Sequence, residues 1–192
     1  DDAPHVLVTE DYGKTWKAID KGLPSGSARV LREDQSNPNV LYLGTEFGIW
    51  TTIDRGQTWI RLNNNLPHVA VHEIAVHPTA GEIVAGTHGR SLWILDVAAL
   101  AQFGDAALDN PVNLFKPKTA VLWHGATGKR FFGRRNFVGQ NPPSGGVFYY
   151  SLKNAAKKAT LTISDVEGKK VAQIPAKKTA GFHMAAWNLN RA

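Results

Sequence analysis

Apolar residues in the first half of the chain come in short runs that alternate with polar positions, the period of β-strands. The runs are rich in β-branched and aromatic residues and end at Gly, Pro, Asn or Asp. The pattern predicts strands at 28–31, 40–43, 48–52, 58–62, 72–76, 83–85 and 91–95. A helical pattern is confined to residues 97–103. We therefore expect an all-β fold.

The strand pattern repeats with a period of about 43 residues. Residues 9–16 (TEDYGKTW) realign on residues 52–59 (TIDRGQTW), and Trp50 realigns on Trp93, both at an offset of 43. Four strands within 40–45 residues are typical of one blade of a β-propeller. We therefore expect the chain to enter late in one blade, to complete a second and to begin a third.

The repeated eight-residue segment predicts a tight turn. Its aspartate is placed to accept hydrogen bonds from turn amides, its glycine to supply a positive φ, and its tryptophan to fill the space between neighbouring sheets. These residues are Asp11, Gly13 and Trp16 in the first copy and Asp54, Gly56 and Trp59 in the second. The segment resembles the Asp-box, Ser/Thr-x-Asp-x-Gly-x-Thr-Trp, of sialidases, sortilin-type receptors and related bacterial propellers. In that family the boxes lie at the blade periphery, so the resemblance implies structural aspartates.

Two aligned loops carry the candidate ligand-binding residues. Glu46 lies in one loop, and His88 and Arg90 lie in the corresponding loop of the next repeat. A carboxylate, an imidazole and a guanidinium at a propeller channel would suit a polar or anionic ligand. The alternative is that they tie the loops to neighbouring blades. Glu46 is also the candidate catalytic acid of a glycosidase, but that chemistry needs a second carboxylate, which this stretch does not convincingly supply.

Metal and cofactor motifs are missing from the sequence. The His72-Glu73 pair with His77 is one residue too long for a zinc-protease HExxH motif, and a strand would point the two histidines to opposite faces. Gly-x-Gly-x-x-Gly, Walker and Gly-x-Ser-x-Gly motifs do not occur. The absence of cysteine excludes disulfides and thiolate chemistry. We expect no metal and no cofactor.

Charge divides the 192-residue chain, whose net charge is +6. Residues 1–110 hold 8 lysines and arginines against 14 acids, whereas residues 111–192 hold 14 against 2. This asymmetry favours two modules, of which the basic one could bind an anionic partner. The candidate residues for polyanion binding, interleaved with phenylalanines, are Lys129, Arg130, Arg134 and Arg135. The alternative is a solvated loop.

Strands are predicted again at 147–152, 159–164, 171–174 and 183–189, with a hairpin turn at 165–169. Alternation predicts that Phe182, Met184 and Ala186 form a buried face. Residues 139–146 (GQNPPSGG), 163–169 (ISDVEGK) and 181–187 resemble the Ig-like or fibronectin-like module that follows Asp-box propellers in large bacterial secreted proteins. We therefore expect propeller blades over 1–110, a linker with a basic aromatic loop over 111–140, and a β-sandwich over 141–192, to which strands from 111–140 could add.

Two to three four-stranded blades cannot close a ring. We therefore expect neighbours from missing blades of a longer parent chain or from self-association, and the start at Asp1 favours a piece of a larger protein. The resemblance implies an extracellular or periplasmic location, and no apolar run approaches the roughly 20 residues that span a bilayer. The function we expect is a non-catalytic scaffold that binds a carbohydrate or protein ligand.

Two alternatives to this function remain. The chain could belong to a sialidase- or glucanase-like glycoside hydrolase whose acids lie mainly in missing N-terminal blades. The basic C-terminal module could instead bind polyanions.

Overall fold

The chain folds into antiparallel β-sheets. Its computed structural model describes residues 2–104, 109–121 and 143–190. It divides into two compact units, Asp1–Gly104 and Asp105–Ala192. The all-β prediction is confirmed.

The first unit contains three sheets that follow one another along the chain. The first sheet pairs β1 (Leu7–Val8) with β2 (Lys17–Ala18). The second sheet, in the order β3-β4-β5-β6, comprises Ala28–Glu33, Leu41–Thr45, Gly48–Thr52 and Ile60–Arg61. The third sheet, in the order β7-β8-β9, comprises Val71–Val76, Glu82–Thr87 and Leu92–Asp96. The strands therefore lie close to the predicted positions, and each sheet is a meander of sequential neighbours.

Alternation along the strands gives the second sheet two buried faces. Leu41 and Leu43 point to one side and pack with Val6 and Ile19 of the first-sheet segment. The residues on the other side of the second sheet pack with the third sheet in a single cluster. That cluster includes Val30, Tyr42, Ile49, Val71, Ile74, Ile83 and Ala85. The first unit is therefore a series of three sheets, with the second sheet packed between the first and the third.

A buried turn anchors the end of the first unit. Asp34 follows β3 and accepts hydrogen bonds from the amides of Ser36 and Asn37 and from the Tyr42 hydroxyl, the last at 2.8 Å. Burial, together with the Asp34 carboxylate, raises the pKa of Tyr42 well above its ordinary value. The Asn37 side-chain amide donates to the carbonyl oxygens of Ala101 and Phe103 at 3.1 and 2.6 Å. The turn therefore ties residues 101–103 to the second sheet.

The helix predicted over 97–103 is much shorter in the structure. Only Leu100–Gln102 forms a turn of 3-10 helix, and Phe103 is already extended. The carbonyl oxygens of Ala101 and Phe103 accept the Asn37 side-chain amide, and the backbone is already extended at Phe103. A tertiary contact between residues 64 positions apart thus holds the end of this short helix.

The described residues of the second unit form two further sheets. One has the order β10-β11-β14, with bounds Val112–Leu114, Gly146–Leu152 and Gly181–Trp187. The other pairs β12 (Thr160–Ser164) with β13 (Lys170–Pro175). The predicted hairpin turn joins them, and the Asp165 carboxylate accepts the Lys169 amide at 2.9 Å. β10 pairs with β11, so residues of the predicted linker do contribute a strand to this sheet.

The buried face of β14 is the opposite of the predicted one. Ala185 is buried, whereas Phe182 and Met184 are exposed. In the antiparallel pairing Tyr150 lies opposite His183, and paired residues share a face. Because Tyr150 is buried and its hydroxyl donates to the Lys177 carbonyl oxygen at 3.0 Å, the odd-numbered residues of β14 turn inward.

Candidate functional site

The second copy of the eight-residue segment, Thr52–Trp59, is a closed hydrogen-bonded turn that we call the second turn motif. The Thr52 hydroxyl donates to Asp54 Oδ1 at 2.6 Å and accepts the Gly56 amide at 2.9 Å. Thr58 donates its amide to Asp54 Oδ1 at 2.9 Å and its hydroxyl to Oδ2 at 2.6 Å. Both carboxylate oxygens of Asp54 are therefore engaged inside the turn.

The backbone conformation of the turn explains why the second turn motif has a glycine at position 56. Arg55 and Gly56 both have positive φ, 57° and 85°, as the two central residues of a type I′ turn do. A Cβ added at Gly56 would lie 2.9 Å from the Cβ of Ile19 in the first-sheet segment. Trp59 Nε1 donates to the carbonyl oxygen of the same Ile19 at 2.6 Å. The motif therefore joins the second sheet to the segment that precedes it.

Hydrogen bonds also set the charge state of Asp54. Partial burial would raise its pKa, but the hydroxyls of Thr52 and Thr58 and the amides of Thr58 and Gln57 outweigh that effect and lower it. A carboxylate with a lowered pKa is ionised at neutral pH, so it has no proton to donate as a general acid. The arrangement suits a carboxylate that stabilises its own turn through hydrogen bonds.

The first copy, Thr9–Trp16, repeats the internal geometry and is called the first turn motif. Asp11 accepts the Thr15 amide and hydroxyl at 2.8 and 2.7 Å, and Tyr12 and Gly13 have φ of 57° and 86°. Hydrogen bonds, that of the Thr15 amide first, lower the pKa of Asp11. Its surroundings differ, because Trp16 is 60% exposed and its Nε1 donates to Gly13 within the motif. Trp16 therefore does not fill a space between two sheets here.

A groove of about 380 Å³ lies between the two motifs. Trp16, Lys17 and Ile19 line it from one side, and Asp54, Arg55 and Gln57 from the other. Arg55 reaches Glu10 across it at 3.5 Å. The Asp54 carboxylate at its edge remains bound to its own turn.

Glu46 lies in the β4–β5 turn and forms an ion pair with Arg29 of β3. Its backbone amide donates to the Ser27 carbonyl oxygen at 3.3 Å. The contacts of Glu46 thus hold a loop against its own sheet. Glu46, the predicted candidate for a catalytic acid, is therefore ion-paired with the guanidinium of Arg29.

Four exposed rings form two pairs at the loop ends of the second and third sheets. Phe47 stacks on His68, with ring centroids 4.9 Å apart and planes 10° apart. The ring centroids of His72 and the predicted ligand residue His88 lie 5.2 Å apart. The backbone amide of His88 donates to the Ala70 carbonyl oxygen at 2.9 Å. All four residues are exposed. With Arg29 and Glu46, these rings form what we call the loop-end surface.

The other candidate residues are dispersed. Arg90 is exposed, and its carbonyl oxygen accepts Trp93 Nε1 at 2.8 Å. His77 caps the β7–β8 turn, where its Nδ1 accepts the amides of Thr79 and Ala80 at 3.2 and 3.0 Å. Within the described ranges, no group of three His, Asp or Glu side chains could hold a metal ion. The polyanion candidates Lys129, Arg130, Arg134 and Arg135 lie outside the described residues.

Three residues of the loop-end surface were not predicted from the sequence. They are Phe47, His68, and His72 in its role as the partner of the His88 ring. Phe47 adjoins the candidate Glu46, and an aromatic residue in a turn was a usable signal. The stacking of Phe47 on His68 joins residues of two different repeats, and no spacing in the sequence points to it.

Changing Thr58 should move the titration of Asp54. Thr58→Val removes the hydroxyl donor, so the Asp54 pKa should rise toward its ordinary value, while Thr58→Ser should leave it near the wild-type value. Because the folded-state pKa is lowered, the stabilisation from ionised Asp54 is complete above the unfolded pKa and is lost as the pH falls through the folded pKa. Carboxyl NMR titration measures the shift. Equal pKa values of Asp54 in both variants would contradict this assignment.

In comparisons with known proteins, no protein family, no curated protein and no solved structure matches the chain. Among the described residues there is also no helix with the length and apolarity needed to cross a bilayer.

Proposed function

We propose that the chain is a non-catalytic binding scaffold of the secreted bacterial Asp-box β-propeller type, followed by an Ig-like module. In this proposal the sheets of the first unit are blades, the second turn motif joins the first two of them, and the loop-end surface receives the ligand. The observation that carries it is the set of four exposed rings held in two pairs at one end of the sheets.

The placement of these rings supports a binding role. Phe47 extends from the second sheet, whereas His68 leads into the third, so the stack depends on how the two sheets pack. The two histidines of the other pair are in β7 and directly after β8. A surface fixed by the fold loses little conformational entropy when a ligand binds.

The chemistry of the surface suits a ligand with a flat apolar face and a polar edge. Phe47 and the imidazole rings offer faces for stacking, while Arg29 and Glu46 supply a donor and an acceptor beside them. A sugar ring has this character, and so does an aromatic side chain of a protein. These are the two ligand classes that we propose.

The turn motifs support a scaffold without catalysis. Asp11 and Asp54 each accept an amide and two threonine hydroxyls, and Glu46 is paired with Arg29. The carboxylates of Asp11 and Asp54 are committed to structural contacts, whereas glycoside hydrolysis needs two acids that face the substrate.

A ligand screen tests the proposal. Glycan and peptide arrays should yield a ligand whose binding perturbs the NMR signals of Phe47, His68 and His88. Phe47→Ala should weaken binding about fivefold, since losing an aromatic contact costs on the order of 1 kcal/mol. His77→Ala, which changes an exposed histidine of a turn, is the matched control and should bind as wild type does.

Two results would contradict this function. One is a ligand that binds equally well to wild type and Phe47→Ala. The other is hydrolysis of a glycan by the wild-type chain that disappears in Glu46→Gln, which would favour the glycoside hydrolase instead.

A further inference from the structure

The first unit contains the same kind of interface twice in series. We call the side of a sheet that points to the preceding sheet its back face and the side that points to the following sheet its front face. In the second sheet, Leu41 and Leu43 belong to the back face, and Val30, Tyr42 and Ile49 belong to the front face. Both faces are covered, the back face by the first sheet and the front face by the third.

Among the described residues, apolar side chains on the front face of the third sheet are exposed. Register places Ala75, Val84 and Ile94 in one row across the three strands, and Leu92 beside Gly86 in the next row. Leu92 is 73% exposed and Ile94 66%. The residues 43 positions earlier, Ile49 and Thr51, are 0% and 3% exposed, because the third sheet covers them.

The described side chains on the back face of the first sheet are exposed as well. Leu7 and Ala18 are paired across its two strands, and both are exposed, Leu7 by 53%. Trp16 lies beside them with its indole ring largely in solvent. Residues 43 positions later, Trp50 and Trp59, pack against the preceding segment. One chain therefore carries both halves of an interface that it already forms twice internally.

We propose that a second copy of this chain covers the front face of the third sheet with the back face of its own first sheet. Rows of adjacent exposed aliphatic side chains of this kind mark interaction sites. Within the chain, a front face always meets a back face, so continuing the series joins the copies head to tail. Such a heterologous contact leaves one free face at each end of a dimer, and it allows further copies to add.

The mass of the protein in solution tests the association. In sedimentation velocity the wild-type chain should shift from monomer to dimer and larger species as its concentration rises. Ile94→Lys on the front face and Leu7→Lys on the back face should each remain monomeric. Circular dichroism verifies that both variants fold, which their exposure predicts. Val166→Lys, at a fully exposed valine of the second unit, is the matched control and should associate as wild type does.

Mixing the two variants tests the head-to-tail arrangement. Ile94→Lys keeps an intact back face and Leu7→Lys an intact front face, so an equimolar mixture should form a 1:1 dimer that does not grow. A wild-type chain that stays monomeric at every concentration overturns the proposal. Association that Ile94→Lys abolishes and Leu7→Lys leaves intact overturns it too, because a face-to-face dimer would behave in that way. Loss of association in Val166→Lys would show a general charge effect and would equally overturn it.

Discussion

Replacing Trp59 by alanine should lower the free energy of unfolding of the first unit by about 3 kcal/mol. The indole packs against the segment that contains Val6 and Ile19, and its Nε1 donates to the Ile19 carbonyl oxygen at 2.6 Å. The substitution removes the ring and leaves that carbonyl oxygen without its donor. Urea unfolding followed by the amide NMR signals of the second sheet measures the change.

Trp16 provides the matched control, since it occupies the same position of the other turn motif. Because Trp16 is mostly exposed and bonds only within its own turn, Trp16→Ala should cost less than about 1 kcal/mol. Equal losses in the two variants would show that Trp59 does not join two sheets, and this would contradict the role given to the second turn motif.

Replacing Gly44 by alanine should destabilise the first unit by about 1–3 kcal/mol. A Cβ at this position would lie 2.6 Å from Val30 Cγ1 and 2.7 Å from the Val71 carbonyl oxygen of the third sheet. The second and third sheets approach each other here with room for no side chain, so the substitution forces them apart. Thermal unfolding of the variant measures the loss.

Gly86 is the counterpart of Gly44 on the front face of the third sheet. Its added Cβ would meet no atom closer than 3.7 Å, so Gly86→Ala should change the stability by less than about 0.5 kcal/mol. A Gly86→Ala variant as unstable as Gly44→Ala would mean that the front face of the third sheet is covered within the single chain.

The repeat in the sequence predicted the strands of the first unit well, because hydrophobic alternation and turn residues are local properties. The turn of each motif could also be predicted from the sequence, since an aspartate two residues before a glycine favours this conformation. The positive φ of Tyr12 and Arg55 was not part of the prediction. It follows from a type I′ turn, which requires a left-handed residue before the glycine.

The surroundings of each element were harder to predict than the element itself. Trp16 and Trp59 occupy the same position of one motif, yet Trp59 packs against the segment of Val6 and Ile19 whereas Trp16 is largely exposed. The pairing of Glu46 with Arg29 and the stacking of Phe47 on His68 join residues 17 and 21 positions apart in sequence. Such contacts depend on how strands and sheets meet, which residue spacing alone does not encode.

The second unit shows a further limit of pattern reasoning. In β14 apolar residues occupy both sets of alternate positions, so the sequence leaves open which set turns inward. The choice is made by β11, whose buried Tyr150 fixes the face of its partner His183. The larger residues Phe182 and Met184 consequently stay outside.

The central claim is that the second turn motif has a structural role and joins the second sheet to the segment that precedes it. Hydrogen exchange of the tryptophan indole protons tests it most directly, because the indole N–H of Trp59 is the group that donates to Ile19. We predict that the Trp59 indole proton exchanges slowly and shows a nuclear Overhauser effect to Ile19, while that of Trp16 exchanges quickly. Rapid exchange at Trp59 without any contact to Ile19 would contradict the account.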